Sequence, residues 1–158
     1  MDDDKKYRVI VDETDKKIIE IINENARIPY RQIAKTLTIS VGTVHNRVDK
    51  LLKTGIIKKF IPIIDHKMLG YNLTSIIGVK IKTAGFQHWE EKKSFKKHVL
   101  AIYDVTGEYD VYLIAKFKNT TELDKFVKDL LKEPTVERTY TQTVLNIVKE
   151  EQSSIHML

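Results

Sequence analysis

Residues 30–55 read YRQIAKTLTISVGTVHNRVDKLLKTG, two short amphipathic segments joined by a four-residue polar turn. In the first segment Ile33, Ala34 and Leu37 recur at helical spacing, and in the second Val44, Val48, Leu51 and Leu52 do the same. Ser40 stands where an N-cap belongs. This is the pattern of a helix-turn-helix whose second helix enters a DNA major groove. With the apolar set turned inward, Gly42, Asn46, Lys50 and Lys53 point directly outward, and Thr43, His45 and Arg47 lie on the flanks. A face so small, polar and basic suits a groove lined by base edges and phosphate. Solvated lysines on an ordinary helical hairpin give the same spacing, so the charge distribution has to separate the two readings.

Between residues 27 and 64 eight basic side chains (Arg27, Arg31, Lys35, Arg47, Lys50, Lys53, Lys58 and Lys59) face a single acid, Asp49. Residues 1–26 hold five basic and eight acidic side chains, and the whole chain is only +5, so the positive excess is concentrated on the hairpin. A localised basic stripe is the footprint of a phosphate binder, whose affinity falls steeply with salt.

The chain has 158 residues, of which 31% are charged, which suits a globular protein of one large domain or two small ones. It has no cysteine, which excludes disulfides and thiolate zinc sites. No apolar run is long enough to span a membrane, and the head MDDDKK is the opposite of a signal peptide. The expectation is a cytoplasmic, nucleoid-associated protein with no membrane partner. His45, His66, His88, His98 and His156 lack metal-ligand spacing, no GxGxxG or GxxxxGK[ST] occurs, and no histidine accompanies a nucleophile motif. No catalytic residue, metal or cofactor is therefore expected. An enzyme carrying a regulatory domain is the alternative from another class, and the chain has no room for its catalytic domain.

Working outward from the hairpin, Asp12 is placed to cap a helix striped by Ile18, Ile19, Ile21 and Ile22, and Asp15 favours the positive helix start. Gly55 is a helix stop. IIKKFIPII then reads as a strand or extended wing with Lys58 and Lys59 near backbone phosphate, and Pro62 argues against a central strand. Residues 65–69 read as a single helical turn closed by Gly70. Residues 1–64 are thus a DNA-binding domain, 65–71 a linker and 72–158 a second domain.

In that second domain residues 72–83 place Leu73, Ile77, Val79 and Ile81 on one face, and residues 110–118 place Val111, Leu113, Ala115 and Phe117 likewise. Leu123, Phe126, Val127, Leu130 and Leu131 mark a helix, and residues 86–98 a weaker one anchored by Trp89 and Phe95. Residues 99–106 and 136–148 complete four strands. Strand, helix, strand, strand, helix, strand is the ferredoxin-like βαββαβ sandwich, so the fold class is α+β, with both helices on one face of an antiparallel sheet. The other face should hold Ile76, Tyr112 and Ile114 with Lys80, Lys82, Lys116 and Lys118 at its end. A half-apolar face of this kind suits packing against a second copy. A dimer would set two recognition helices about 34 Å apart, one turn of duplex.

The stretches VDETDKKII (Val11 to Ile19), IAKTLTISVGTVHNRVDKLLKTGII (Ile33 to Ile57), DHKMLGYNL (Asp65 to Leu73), VTGEYDVYL (Val105 to Leu113) and PTVERTYTQTVL (Pro134 to Leu145) together resemble the Lrp/AsnC, or feast/famine, family of transcription regulators. The resemblance covers nearly the whole chain. It implies a sequence-specific regulator with an ACT-like C-terminal domain. It further implies dimers that assemble into tetramers or octamers, and an amino-acid effector bound between dimers. In the hairpin, Thr43 and Arg47 match a common Ser-x-Thr-Val-x-x-Arg pattern, which assigns Arg47 to phosphate or base contact and Thr43 to backbone positioning. Asn46 and Lys50 are the base-reading candidates, since Asn pairs bidentately with adenine and Lys reaches guanine. Tyr30, Arg31 and Gln32, at the start of the first hairpin helix, are phosphate candidates, as is Lys58, and Gly42 and His45 complete the surface.

The sequence also departs from the family pattern. Thr38 stands where glycine is usual, and a positive φ there would strain the turn. Val41 and Gly42 replace Pro-Ser or Ser-Ser, and His45 and Asn46 are less basic than common choices, so the target sequence does not transfer. Near the second domain's turn, Gly107, Glu108, Tyr109 and Asp110 match the family's effector loop. Amides beside Gly107 would hold a carboxylate and Asp110 an amino group, with hydroxyls from Thr141 and Thr143. A glycine and aspartate between two strands also make an ordinary hairpin turn. The runner-up function is an architectural nucleoid protein that wraps DNA with little sequence preference.

Overall fold

The computed structural model describes residues 10–82, 89 and 93–150, which fall into two compact units dividing between Ile63 and Ile64. The first is three-helical: α1 (Glu13–Glu24), α2 (Tyr30–Leu37) and α3 (Val41–Lys53). Asp12 caps α1 by accepting from the Asp15 amide at 2.8 Å, while Asp15 reaches back to the Asp12 amide, a reciprocal capping box. Ser40 caps α3 through the Thr43 amide at 3.0 Å. Between them Thr38 takes φ 55 and ψ 45, the left-handed conformation that ends α2. Ile18, Ile22, Ile33, Ala34, Val44, Val48 and Leu51 close the core, and burying each larger aliphatic contributes about 1.5–3 kcal/mol.

Gly55, at φ 77, ends α3, and the Ile57 amide returns to the Leu51 carbonyl at 3.0 Å. Beyond it, of the two alternatives, strand or extended wing, the chain takes the second: an extended arm with no ladder partner among the described residues, leaving Phe60, Ile61, Ile63 and Ile64 exposed. Pro62 has no amide to donate, and among the described residues no strand in this unit offers a matching edge. Residues 65–70 form the expected turn, with Asp65 accepting from the Lys67 and Met68 amides and Gly70 at φ 84.

The second unit is built from β1 (Leu73–Ile81), α4 (Lys93–His98), β2 (Val99–Asp104), β3 (Val111–Phe117), α5 (Thr120–Leu131) and β4 (Val136–Thr143). The sheet is antiparallel in the order β2-β3-β1-β4, the ferredoxin-like order with β1 and β3 central. Ile77, Val79, Val111, Leu113, Ala115 and Phe117 point to the helices, where Phe95, Phe126, Leu130 and Trp89 pack on them. Of the weaker helix expected over 86–98, α4 is the described part, and residues 86–88 and 90–92 lie outside the described residues. The last strand stops at Thr143 rather than 148, because its partner β1 begins at Leu73 and the final bond runs from the Val144 amide to the Thr74 carbonyl.

On the other sheet face Ile76 pairs with Ile114, and Gly78 with both Tyr112 and Tyr140. Ile76, Tyr112 and Ile114 are half-buried in the single chain. Lys82 and Lys118 are exposed just beyond the strand ends, but Lys116 is buried rather than solvated.

Candidate nucleic-acid interface and effector loop

The outward side of α3 carries Gly42, His45, Asn46, Lys50 and Lys53, all exposed, with Thr43 and Arg47 half-buried beside them. Asn46 makes no side-chain bond among the described residues, so its amide is available. Thr43 is committed: its amide and its hydroxyl both meet the Ser40 hydroxyl, the latter at 2.9 Å. Gly42 is not required by packing, since an added Cβ would meet only the Ser40 hydroxyl at 3.7 Å. At the start of α2, Arg31 and Gln32 are exposed, whereas Tyr30 leans on the core with its ring edge-on to His45 at 6.1 Å. Lys58 is exposed on the extended arm.

Arg47 and Lys50, expected as DNA contacts, are also engaged within the chain. Arg47 Nη1 donates to both Asp12 oxygens at 2.8 and 2.6 Å and to Asp15 Oδ1 at 2.8 Å. Lys50 Nζ donates to Asp15 Oδ2 at 3.1 Å and to the Ile10 carbonyl at 3.3 Å. Burial pushes the Asp15 carboxyl up, but bonds from Arg47, Lys50 and the Asp12 amide outweigh it and leave it below the usual carboxylate range. Arg47 likewise holds Asp12 low, aided by the Asp15 amide. The two aspartates in turn hold the guanidinium more firmly protonated. A paired i,i+3 spacing announces this cluster: Asp12-x-x-Asp15 on one helix and Arg47-x-x-Lys50 on the other. Taken singly, the same four residues are helix caps and DNA-contact candidates.

In the second unit Gly107, at φ 127, turns the chain from β2 to β3, and the Val105 amide closes the loop on the Asp110 carbonyl at 2.9 Å. The Asp110 carboxylate is already engaged, accepting from the Ile81 amide at 2.8 Å and from Lys80 Nζ at 3.1 Å. Those two bonds, the amide first, hold it below the usual carboxylate range. Glu108 meets Arg138 at 3.1 Å, and the Arg138 guanidinium lies over Tyr109 at 5.5 Å. Tyr109 stacks on Tyr140 at 5.8 Å above Gly78, where a Cβ would come within 3.0 Å of its ring. Thr141 and Thr143 pair with Ile77 and Ser75 and so belong to the helix-covered face, opposite Tyr109. Within one chain the six effector candidates therefore do not converge, and Asp110 is bound to its own sheet.

A model of winged helix-turn-helix DNA-binding domains matches residues 11–58, and one of Lrp/AsnC ligand-binding domains matches residues 74–154. An HTH-type transcriptional regulator of Pyrococcus abyssi is 44% identical over 142 residues, covering 90% of this chain and 97% of that one. The chain belongs to the Lrp/AsnC family. It is an Lrp/AsnC-type DNA-binding transcriptional regulator. The fold of this regulator matches the solved structure of Escherichia coli AsnC with a TM-score of 0.80 at 25% identity, over 91% of this chain and 98% of that one. It also matches a Neisseria meningitidis transcriptional regulator solved in complex with L-methionine, with a TM-score of 0.81 at 26% identity, over 93% and 99% of the two chains. Among its described residues no group of three His, Asp or Glu could hold a metal, and no helix is long and apolar enough to cross a membrane.

Proposed function

We propose that this regulator recognises a specific operator, including one upstream of its own gene, by placing α3 in the major groove with Asn46 as the principal base reader. The observation that carries the reading is the free, exposed Asn46 amide at the centre of the α3 face, in a unit whose α2 and arm also expose Arg31 and Lys58. Gln32, His45, Gly42 and the Tyr30 ring line the approach, and Thr43 fixes the start of the helix. Arg47 and Lys50 are held by α1 and take no part in base reading. Its work is that of a regulator and not of an enzyme, carried out on the nucleoid in the cytoplasm. Two copies joined through the open sheet face would present two such helices to one side of the duplex.

A free amino acid is the proposed effector, supported by the ligand-binding character of the matched family domain and by the L-methionine complex of the Neisseria relative. Since the candidate residues lie on both sheet faces, the bound carboxylate would meet the Gly107 loop of one chain and groups brought by another copy.

Fluorescence anisotropy with duplex from upstream of the gene and a shuffled duplex, at about 150 mM salt and with or without L-methionine, tests the reading. We expect at least about tenfold preference for the native duplex. Asn46→Ala should erase about 1–3 kcal/mol of it, whereas Lys58→Ala weakens both duplexes alike. Equal, salt-sensitive binding to both duplexes would favour an architectural DNA-wrapping protein instead.

A further inference from the structure

Every lysine and arginine of the recognition helix is matched to an aspartate. Arg47 is shared by Asp12 and Asp15 at 2.6 and 2.8 Å, Lys50 meets Asp15 at 3.1 Å, and Lys53 meets Asp49 at 2.6 Å. Asp15 has no solvent exposure at all, so its pairing is built into the packing of α1 against α3. Among the described residues Arg27, Arg31, Lys35, Lys58 and Lys59 form no such pairs, and all five are exposed. Positive charge is therefore sorted: neutralised on the helix that reads bases, and left free on the segments around it.

We propose that Asp12 and Asp15 are positioning residues for specificity, which withhold Arg47 and Lys50 from DNA phosphate so that the α3 face discriminates through neutral groups. The proposal rests on the DNA-binding reading above and assigns a role that the separate residues did not suggest. A phosphate approaching Arg47 meets the Asp12 carboxylate bound to the same nitrogen, and the four groups together carry no net charge. Both aspartates hold Arg47 through Nη1, so drawing the guanidinium away onto phosphate would loosen its bond to the buried Asp15 carboxylate, an unfavourable exchange. Affinity common to all sequences then comes from the free cations on α2 and the arm. Discrimination improves because the face nearest the bases adds little affinity for wrong sequences.

The salt dependence of binding by the full chain tests the clasp. Anisotropy titrations with the gene's own upstream duplex and a shuffled duplex, between about 50 and 200 mM salt, give the slope of log affinity against log salt. Lys58→Gln should reduce that slope by about 0.9 for each copy bound, as a phosphate contact must. Arg47→Gln should leave it unchanged, while Arg47→Lys, which keeps a cation between the aspartates, should also preserve sequence discrimination. Asp12→Asn removes the solvent-side partner of Arg47 and leaves it held by Asp15 alone, which should steepen the slope by up to about 0.9 per copy and tighten binding to the shuffled duplex on the order of fivefold to tenfold at 0.1 M salt.

A slope that falls with Arg47→Gln as much as with Lys58→Gln would make Arg47 a phosphate contact and overturn the proposal. So would unchanged or weaker binding of Asp12→Asn to the shuffled duplex, provided its circular dichroism matches that of the unaltered chain. Should Asp12→Asn fail that folding check, the arginine variants decide the matter alone. Failure of the unaltered chain to bind either duplex would instead overturn the DNA reading itself, and the clasp's role with it.

Discussion

At the level of single residues, Thr38 holds a backbone conformation that its own side chain disfavours. Its φ of 55 lies in the left-handed region, where a β-carbon crowds the following carbonyl at a cost of about 1–2 kcal/mol. The turn keeps it there because the Ile39 amide must reach the Ala34 carbonyl at 3.0 Å for α3 to begin at the right angle. Thr38→Gly should therefore raise stability by about 0.5–1 kcal/mol, the strain relieved less the added freedom of the unfolded chain. Urea unfolding should show a higher midpoint with the same slope, and a lower midpoint would mean that the threonine is not strained. This residue was legible before the fold was known, because the family resemblance marks the position as a glycine site. Asp110 was only half legible. A carboxylate after a Gly turn fits a ligand anchor and a strand brace equally well, and the bond to the Ile81 amide spans 29 positions that local pattern does not connect.

At the level of the helices, α1 and α3 are joined by charge as well as by isoleucine and valine. Both Asp12 and Asp15 titrate below the ordinary aspartate value of 3.8 in the folded chain. A carboxyl with a depressed folded value binds protons more readily when unfolded, so its stabilisation is complete above the unfolded value and is lost as pH falls through the folded one. Thermal melts followed by circular dichroism should show this helical transition holding steady from about pH 7 to about pH 5 and dropping below about pH 4. Asp12→Asn should make the acid limb shallower, and an equally steep limb would place the acid-sensitive groups elsewhere. Helix existence was the most readable feature at this scale, since capping residues and apolar spacing are local. The arm after Gly55 was read only as far as two alternatives, strand or extended wing, because IIKKFIPII has the composition of a strand and strand formation depends on a partner edge that composition does not supply.

For the molecule as a whole, the proposed sheet-to-sheet dimer makes the open sheet face the element that sets how many chains act together. Ile76, Ile114 and Tyr112 sit at the middle of the two central strands with no helix over them among the described residues, and Tyr103 and Tyr140 on the edge strands are about half exposed at 55% and 49%. On the proposed sheet-to-sheet dimer, Ile114→Glu buries an unpaired charge in the interface and should reduce the chain to a monomer in sedimentation or light-scattering measurements. The monomer should also bind its operator more weakly by about 10²–10⁴, the loss expected when two linked readers become one. An unchanged mass would show that this face does not join the subunits. Strand alternation made the face readable from the sequence. It did not reveal the Tyr109 ring lying over Gly78, since a loop residue folding back across a sheet leaves no periodic trace.

Trp89 is the chain's single tryptophan, and it is buried at 3% exposure against Phe95, 5.7 Å away in the sandwich. The three-helix unit contains no indole. Intrinsic emission excited at the red edge is therefore a private optical signal of the second unit, whereas ellipticity sums over both. Where the two signals part company during unfolding, the difference is the DNA-binding unit melting by itself, observed without any label attached.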